Sequence, residues 1–375
     1  MMRLTFKRII TLVLAVLTVF SLVACNSGGD YFYKNNSSEY VYKYGDYSIP
    51  KNFYHYWLAR YKAVLMYTYY DIEDTEAFWN KSYGDGTAND VYTAYADETV
   101  KNYLISLYLF DFYKLEFGQN AEQEIASQLA EIIADGYDGN VANLNEEAYE
   151  FGINYNMLRE IYIAEKKAEM VYDYMCANVL NSKLTDELKE QYMRDNYAHT
   201  THIFISTKYS YNIDDDGNII YDEQGNYTTE LTEDQKKEKQ KYIEELDSIE
   251  LNSINFNEYQ KKYNDDIAID KYKNGYYVSS NISFDTAYVS AALTMKEGEI
   301  KKVEGVNGVY YILKQEMPKA AYAYEGNSDF FVDYDKSVLS YLYWEFKSDL
   351  YKDIESNDKN KEGLTIKNVS PCWYF

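Results

Sequence analysis

The sequence contains little cysteine, histidine or proline. Of its 375 residues only three are Cys, three are His and three are Pro. A catalytic zinc site usually takes three protein ligands, most often histidines, so this supply argues against such a site. We therefore expect neither a metal nor any other cofactor.

Basic residues are also scarce relative to acidic ones. Lys and Arg number 37 against 61 Asp and Glu, which gives a formal net charge of −24 at pH 7. Proteins that bind nucleic acid need basic residues to neutralise phosphates, so no nucleic acid partner is expected. The acidic balance instead favours solubility at an anionic cell surface and a weak attraction for cationic ligands.

The first 25 residues contain a basic segment and then an apolar one. Arg3, Lys7 and Arg8 precede an apolar run over 9–23, and the sequence Leu-Val-Ala-Cys follows at 22–25. This ending resembles the lipobox of bacterial lipoproteins, in which the cysteine is lipidated and the bond before it is cut. A transmembrane anchor is the alternative, but the run is shorter than the roughly 20 residues that span a bilayer.

The resemblance to a lipobox implies where the chain resides. Residues 1–24 would be a lipoprotein signal peptide, and Cys25 would bear the lipid. Residues 25–45 are rich in Ser, Gly, Asn and Asp and predict a flexible tether. We therefore expect a protein anchored by lipid to the extracytoplasmic face of the cell membrane.

The other two cysteines, Cys176 and Cys372, leave two alternatives open. They could pair in an oxidising compartment, or each could be a buried thiol. Cys176 falls in an apolar helical pattern, with no signal for nucleophilic catalysis around it.

Tyrosine is unusually abundant, with 46 Tyr against 16 Phe. Tyr has an apolar body and a polar tip, so these residues can cover the faces of amphipathic helices. They can equally form a surface that binds carbohydrate or peptide, since Tyr is enriched at interfaces. Both interpretations are compatible with the sequence.

Helical periodicity extends over residues 46–196. Asn120 and Gln123 form a capping-box pattern, Thr185 is a candidate N-cap, and apolar residues recur three and four apart between them. The pattern predicts successive helices that contain Phe53, Val100, Ile125, Leu158 and Leu188.

A different pattern begins near Thr201. Short strands, two Gly-Asn turns and two helices predict a small α+β domain over 197–318. Residues 319–375 contain one more amphipathic helix, which we expect to bury its apolar face on the helical domain. The predicted fold class is therefore α+β, mostly helical, with the small domain inserted between two parts of the helical one. The apolar face of the last helix contains Leu339, Leu342, Phe346 and Leu350.

This order of segments resembles the extracytoplasmic foldase lipoproteins of the PrsA type. Residues 201–205, Thr-His-Ile-Phe-Ile, are similar to the first strand of a parvulin domain. Gly-Glu-Ile at 298–300 and Tyr-Tyr-Ile-Leu-Lys at 310–314 are similar to a later turn and the closing strand. The resemblance implies a SurA-like helical chaperone domain over 46–196 and a parvulin or PpiC-type prolyl isomerase domain over 197–318.

The same resemblance implies site residues. His202, Asp266 and Tyr311 would take the catalytic positions, with Tyr311 in place of the family's second histidine, and Phe284 and Tyr288 would line the prolyl pocket. It further implies that Tyr311→His raises isomerase activity. Each residue also has a simpler interpretation: His202 as a hydrogen-bonded core histidine, Asp266 as a solvated turn residue, and Phe284 and Tyr288 as core.

The function that the resemblance implies is a membrane-anchored foldase for newly secreted or unfolded polypeptides. Whether the prolyl isomerase is active is left open by Tyr311. The chain could also associate with a second copy of itself as a homodimer. The alternative is a solute- or glycan-binding lipoprotein, although the sequence lacks the repeated βαβ alternation of two-lobed binders.

Residues 212–223 permit two interpretations. Oxygen-bearing side chains at the first, third, fifth and twelfth places, with Gly at the sixth, are similar to a calcium loop. The first place is Asn212, however, and a second Gly-Asn pair follows at 225–226, which favours two hairpin turns.

Overall fold

The structure of the protein is a computed structural model that describes residues 31–32, 39–69, 72–214 and 218–373. The expected signal peptide, Cys25 and most of the expected tether lie outside the described residues. The expectation of a flexible tether was wrong for Tyr40–Tyr44, which form a strand with Val41 and Tyr42 buried. In the described part of the chain no helix is both long and apolar enough to cross a membrane.

The chain divides into two compact units. The first consists of residues up to Asn181 together with those from Tyr341, and the second consists of Ser182–Ser340. The α+β fold class, mostly helical, is confirmed. The unit boundaries differ from 196/197 and 318/319, because Met193 packs with Tyr334 and Val338 in one cluster of the second unit.

The first unit begins with paired strands and continues as helices. A three-stranded antiparallel sheet contains, in spatial order, Glu355–Ser356, Tyr40–Tyr44 and Tyr47–Pro50, and a pair of two-residue strands precedes the longest helix. In chain order the elements are β1 (Tyr40–Tyr44), β2 (Tyr47–Pro50), α1 (Lys51–Thr68), α2 (Glu76–Trp79), β3 (Ser82–Tyr83), β4 (Gly86–Thr87), α3 (Ala88–Phe112), α4 (Gln119–Gly136), α5 (Val141–Ala148) and α6 (Tyr155–Tyr174).

The second unit combines a four-stranded antiparallel sheet with helices on both faces. The strand order is β8-β5-β10-β9, and β6 pairs with β7 as a separate hairpin. Its elements are α7 (Asp186–Asn196), β5 (Tyr197–Ser206), β6 (Tyr209–Tyr211), β7 (Thr228–Glu230), α8 (Glu233–Ser248), α9 (Phe256–Tyr263), β8 (Tyr276–Ser279), α10 (Thr286–Thr294), β9 (Ile300–Glu304) and β10 (Gly308–Lys314). The chain then continues through α11 (Tyr334–Tyr351), β11 (Glu355–Ser356) and α12 (Asp358–Lys361).

The last segment of the chain completes the first unit. β11 pairs with β1, with Lys43 opposite Glu355, and the Cys372 N–H donates to the Ala59 carbonyl at 3.0 Å. Val369 and Cys372 belong to the same buried cluster as Phe53 of α1. Residues far apart in sequence therefore share one core.

The part of α11 in the first unit buries a lysine. Lys347 is 8 % exposed, its ammonium donates to Asn102 of α3, and it lies 4.3 Å from the centre of the Tyr343 ring. Burial lowers the pKa of Lys347 to about 8, and the negative charge of Glu98 only partly opposes this.

This burial predicts a pH-dependent stability. Between pH 8 and the ordinary lysine pKa of 10.5, the unfolded chain holds a proton that the folded chain has released, so stability should rise with pH in this window. Lys347→Met should remove that rise. It should also increase the free energy of unfolding of the first unit by as much as about 3 kcal/mol at neutral pH. All four Trp lie in the first unit, so urea unfolding followed by Trp fluorescence reports on that unit. An unchanged difference between pH 7 and pH 9.5 in the variant would contradict this assignment.

The two faces of the second unit's sheet follow the alternation of β5 and β10. Ile203, Ile205 and Val309 face α8 and α9, where they pack with Ile243 and Phe256. Ala198 and Ile312 face α10 on the opposite side. Alternate residues of one strand therefore belong to two separate cores.

Candidate functional site

The register of β5 and β10 places His202 directly opposite Ile312 on the α10 face of the sheet. His202 is 5 % exposed. Its Nδ1 lies 3.1 Å from the Tyr288 hydroxyl, and its Nε2 lies 3.1 Å from Oδ2 of Asp266. The structure therefore brings together three of the predicted site residues, His202, Asp266 and Tyr288.

Two further side chains complete this network, which we call the His202 network. The Tyr276 hydroxyl donates to Oδ2 of Asp266, the same oxygen that faces His202. The Thr200 hydroxyl lies 2.9 Å from the Tyr288 hydroxyl. The network therefore joins two residues of β5 to β8, α10 and the start of the short helix after α9.

Asp266 is held in place by the backbone as well. Its Oδ1 accepts a hydrogen bond from the Ala268 N–H at 2.9 Å, so it caps the 3₁₀ turn at Ile267–Asp270. Burial opposes the ionisation of Asp266, but the hydrogen bonds from His202 and Tyr276 outweigh it and keep the pKa of Asp266 below its usual value. Asp266 is thus a half-buried, hydrogen-bonded carboxylate rather than a solvated turn residue.

Aromatic rings enclose the His202 imidazole. The Tyr276 ring stacks on it at 4.9 Å, and the rings of Tyr288 and Tyr310 meet it edge to face at 5.3 and 5.6 Å. Phe284 packs against Tyr276 and Tyr288, each at 5.7 Å. Burial raises the pKa of the Tyr288 hydroxyl, so it remains a neutral hydrogen-bonding group.

A cleft of about 540 Å³ opens beside this network. Phe204 and Tyr310 form one wall, and their rings stack at 4.6 Å. The hairpin β6–β7 forms another wall with Tyr211 and Tyr227. None of the five residues of the His202 network is among the residues that line the cleft, so the network lies behind the aromatic wall. The full lining is Phe204, Ser206, Tyr209, Ser210, Tyr211, Ile213, Tyr227, Thr228, Lys239, Asn264, Asp265, Ile267, Asn307 and Tyr310.

The polar side of the cleft is fixed by Asp265. Its carboxylate accepts from the Ser206 N–H at 2.9 Å and pairs with the Lys239 ammonium of α8. Next to it, Oδ1 of Asn264 accepts from the Phe204 N–H at 2.8 Å. These bonds hold the segment after α9 against the edge of the cleft. The shape of the cleft on this side is therefore set by hydrogen bonds and an ion pair.

Tyr311 does not join His202, which corrects the grouping expected from the resemblance. It is adjacent to Ile312, the partner of His202, and neighbouring residues of a strand point to opposite faces. Its hydroxyl donates to Oδ1 of Asp247 at 2.8 Å and lies 3.2 Å from the Ile243 carbonyl, both in α8. Tyr311 therefore belongs to the core under α8 and α9.

Four residues of this region were not predicted from the sequence to belong to the site: Thr200, Phe204, Tyr276 and Tyr310. The signal that identifies three of them is the period of two along a strand. Thr200 and Phe204 are two residues from His202, and Tyr310 is two residues from Ile312. Tyr276 requires the pairing of β5 with β8, which no local pattern specifies.

No group of three or more His, Cys, Asp or Glu with the geometry of a metal site occurs in the part of the chain that the structure describes. Residues 215–217 of the loop similar to a calcium loop lie outside that part. Of the flanking residues, Oδ1 of Asp214 accepts from the Asn218 N–H, and Oδ1 of Asp222 accepts from the Asn226 N–H, each at 2.7 Å. These are turn hydrogen bonds. Cys176 and Cys372 are both thiols in the structure.

Comparisons with known proteins give structural similarities at low sequence identity. No family model matches the chain. No curated protein matches it either. PrsA from Bacillus subtilis is 19% identical over 78% of this chain and 94% of its own, with a TM-score of 0.22. The peptidylprolyl isomerase PrsA from Bacillus cereus is 17% identical over 76% and 96%, with a TM-score of 0.25. The foldase protein PrsA from Streptococcus pneumoniae is 14% identical over 73% and 85%, with a TM-score of 0.22. TM-scores this low support no inference about function.

Proposed function

We propose that this protein is an extracytoplasmic foldase that binds unfolded polypeptides, and that its second unit binds segments that contain proline. The observation behind this proposal is the aromatic cleft beside the His202 network. Phe204 and Tyr310 offer a flat apolar surface for a prolyl ring, and the hydroxyls of Tyr211 and Tyr227 are available for backbone groups.

The same geometry favours binding over catalysis. Rotation about an X–Pro bond is slow because the amide has partial double-bond character. A catalyst must stabilise the twisted amide more than the planar one, with polar groups placed beside that bond. Here the imidazole of His202 is engaged by Tyr288 and Asp266 behind the cleft wall. We therefore propose that isomerisation is slow or absent, and that the network serves to position the wall.

The anchor and the location are part of the proposal. Lipid attached to Cys25 would hold the chain at the outer face of the membrane, where newly secreted polypeptides emerge. A homodimer stays a prediction, which sedimentation of the purified chain checks directly.

The cleft can be tested with an exposed apolar residue that lines it. Ile267 is 41 % exposed, so Ile267→Asp should not disturb the core. The new charge should weaken the binding of an apolar peptide that contains proline by about ten-fold, because a desolvated carboxylate is costly. Fluorescence anisotropy of the labelled peptide measures this.

Ile254→Asp is the matched control, because Ile254 lies in the same unit, is 92 % exposed and does not line the cleft. Equal binding by the two variants would contradict the cleft assignment.

His202→Ala should leave aggregation suppression within about two-fold of wild type, since loss of one positioning group leaves the aromatic wall in place. A large loss of isomerase rate in that variant would instead show an active enzyme, and preferential binding of an oligosaccharide would favour a glycan-binding lipoprotein.

A further inference from the structure

Two depressions of the first unit meet at one ion pair. One, of about 780 Å³, lies between α4 and α6, and the other, of about 210 Å³, lies between α1 and α3. Arg60 and Glu165 line both of them. Nη1 of Arg60 lies 2.8 Å from each carboxylate oxygen of Glu165, and the Trp57 indole N–H donates to the same carboxylate at 2.9 Å. The two depressions therefore adjoin at this ion pair, and we call them together the first-unit groove.

The smaller half of the groove is apolar. Trp57 and Tyr103 stack at 4.9 Å in its floor, and Tyr61 and Val64 form its rim. Val64 is 52 % exposed. Apolar side chains that stay accessible inside a concave surface are suited to bind the apolar side chains of another chain.

The larger half is negatively charged. Five carboxylates and two cations line it. The Lys166 ammonium lies 2.9 Å from carboxylate oxygens of both Glu124 and Glu169, so it is already engaged. The carboxylates of Glu131 and Asp135, one turn apart on α4, make no hydrogen bond or ion pair with any residue that the structure describes. They leave uncompensated negative charge along one edge of the groove.

An apolar residue accompanies this charge. Trp373 lines the same half of the groove and is 52 % exposed, and Tyr162 lies under the guanidinium of Arg60 at 5.4 Å. The groove thus offers aromatic surface along both halves and a net negative charge along only one.

We infer that the first-unit groove binds unfolded polypeptide segments in which Lys or Arg lies next to aromatic or aliphatic residues. The apolar side chains would enter the half between α1 and α3, and the basic side chains would lie by Glu131 and Asp135, where opposite charge attracts them. This inference rests on the proposed foldase function and names which segments the first unit selects.

The test uses the full chain in mild detergent and three labelled peptides of equal length. One alternates Phe and Leu with Lys, the second has Glu in place of Lys, and the third keeps Lys but has Ser in place of Phe and Leu. The Phe-Leu-Lys peptide should bind tightest, and its affinity should fall at high salt, because salt screens the charge contribution.

Two matched pairs of variants locate the site. The double variant Glu131→Gln, Asp135→Asn should weaken the binding of the Phe-Leu-Lys peptide by about three- to ten-fold, as expected for the loss of two surface charges. Glu122→Gln with Glu146→Gln removes the same charge outside the groove and should have no effect. Val64→Asp should weaken the binding of this peptide. Val332→Asp, at a 72 % exposed residue of the second unit, should leave the binding unchanged.

The outcomes separate this inference from the proposed function. If the wild-type chain suppresses aggregation but binds all three peptides equally, or if the groove variants match their controls, the groove inference fails and the foldase proposal stands. If it neither binds a peptide nor suppresses aggregation, both fail. Self-association that Val64→Asp abolishes would show that a second copy of the chain occupies the groove instead.

Discussion

Lys62→Met should destabilise the first unit by about 2–3 kcal/mol, because it removes a buried ammonium that bonds a backbone carbonyl and pairs with a partly exposed carboxylate. Lys62 is 1 % exposed, and its ammonium lies 2.6 Å from Oδ1 of Asp74. It also donates to the Val369 carbonyl at 2.8 Å and lies 5.4 Å from the centre of the Trp79 ring. The ammonium therefore links α1 to the last segment of the chain. Urea unfolding followed by Trp fluorescence measures the loss.

The matched control is Lys352→Met. Lys352 pairs with Asp349 at 2.7 Å, but its side chain is 73 % exposed, so its loss should cost less than about 0.5 kcal/mol. Asp74→Asn tests the pairing itself. Alone it should destabilise the first unit, because it leaves the Lys62 ammonium without its carboxylate. In the Lys62→Met background it should cost less, because that ammonium is then absent. Equal effects of Lys62→Met and Lys352→Met would show that the ion pair has no such role.

Tyr311→His should reduce the stability of the second unit by about 2–3 kcal/mol and should not raise isomerase activity. The Tyr311 ring is 3 % exposed in the core under α8, and its hydroxyl bonds Asp247. A smaller imidazole at this position leaves space in the core and removes that hydrogen bond. Hydrogen exchange of the β5 and β10 amides measures the stability, since the second unit contains no Trp.

The matched variant is Tyr310→His, one residue earlier on the opposite face. Tyr310 is half-buried, so this change should cost less stability, and it places a second imidazole on the face that holds His202. If either histidine variant isomerises an X–Pro peptide faster than wild type, we expect it to be Tyr310→His. A gain in Tyr311→His with an intact core would contradict the strand register described above.

Several features of the fold and the site can be predicted from local sequence. Thr185 caps α7, and the helical spacing around Phe53 and Leu158 corresponds to α1 and α6. These predictions succeed because caps and helical periods depend on residues a few positions apart. The capping box expected at Asn120 is not formed, since α4 begins at Gln119 after Gly118. Gly118 supplies the extended turn there without any side-chain bond.

The grouping of site residues was predicted only in part. His202, Asp266 and Tyr288 do meet, whereas the placement of Tyr311 was wrong by one residue of β10. A shift of one residue moves a strand side chain to the other face. Sequence similarity of a short strand segment does not fix that register, because Tyr310 and Tyr311 are identical neighbours.

The sequence by itself determined the mixed α+β class, the acidic charge and most helix positions, since each follows from composition or from neighbours along the chain. Only the tertiary structure decided which faces meet. It placed Lys62 against Val369, separated Tyr310 from Tyr311, and joined Arg60 to Glu165 at the middle of a groove. The physical reason is that these contacts join residues far apart in the chain. Their geometry depends on strand pairing and on core packing that no local pattern encodes.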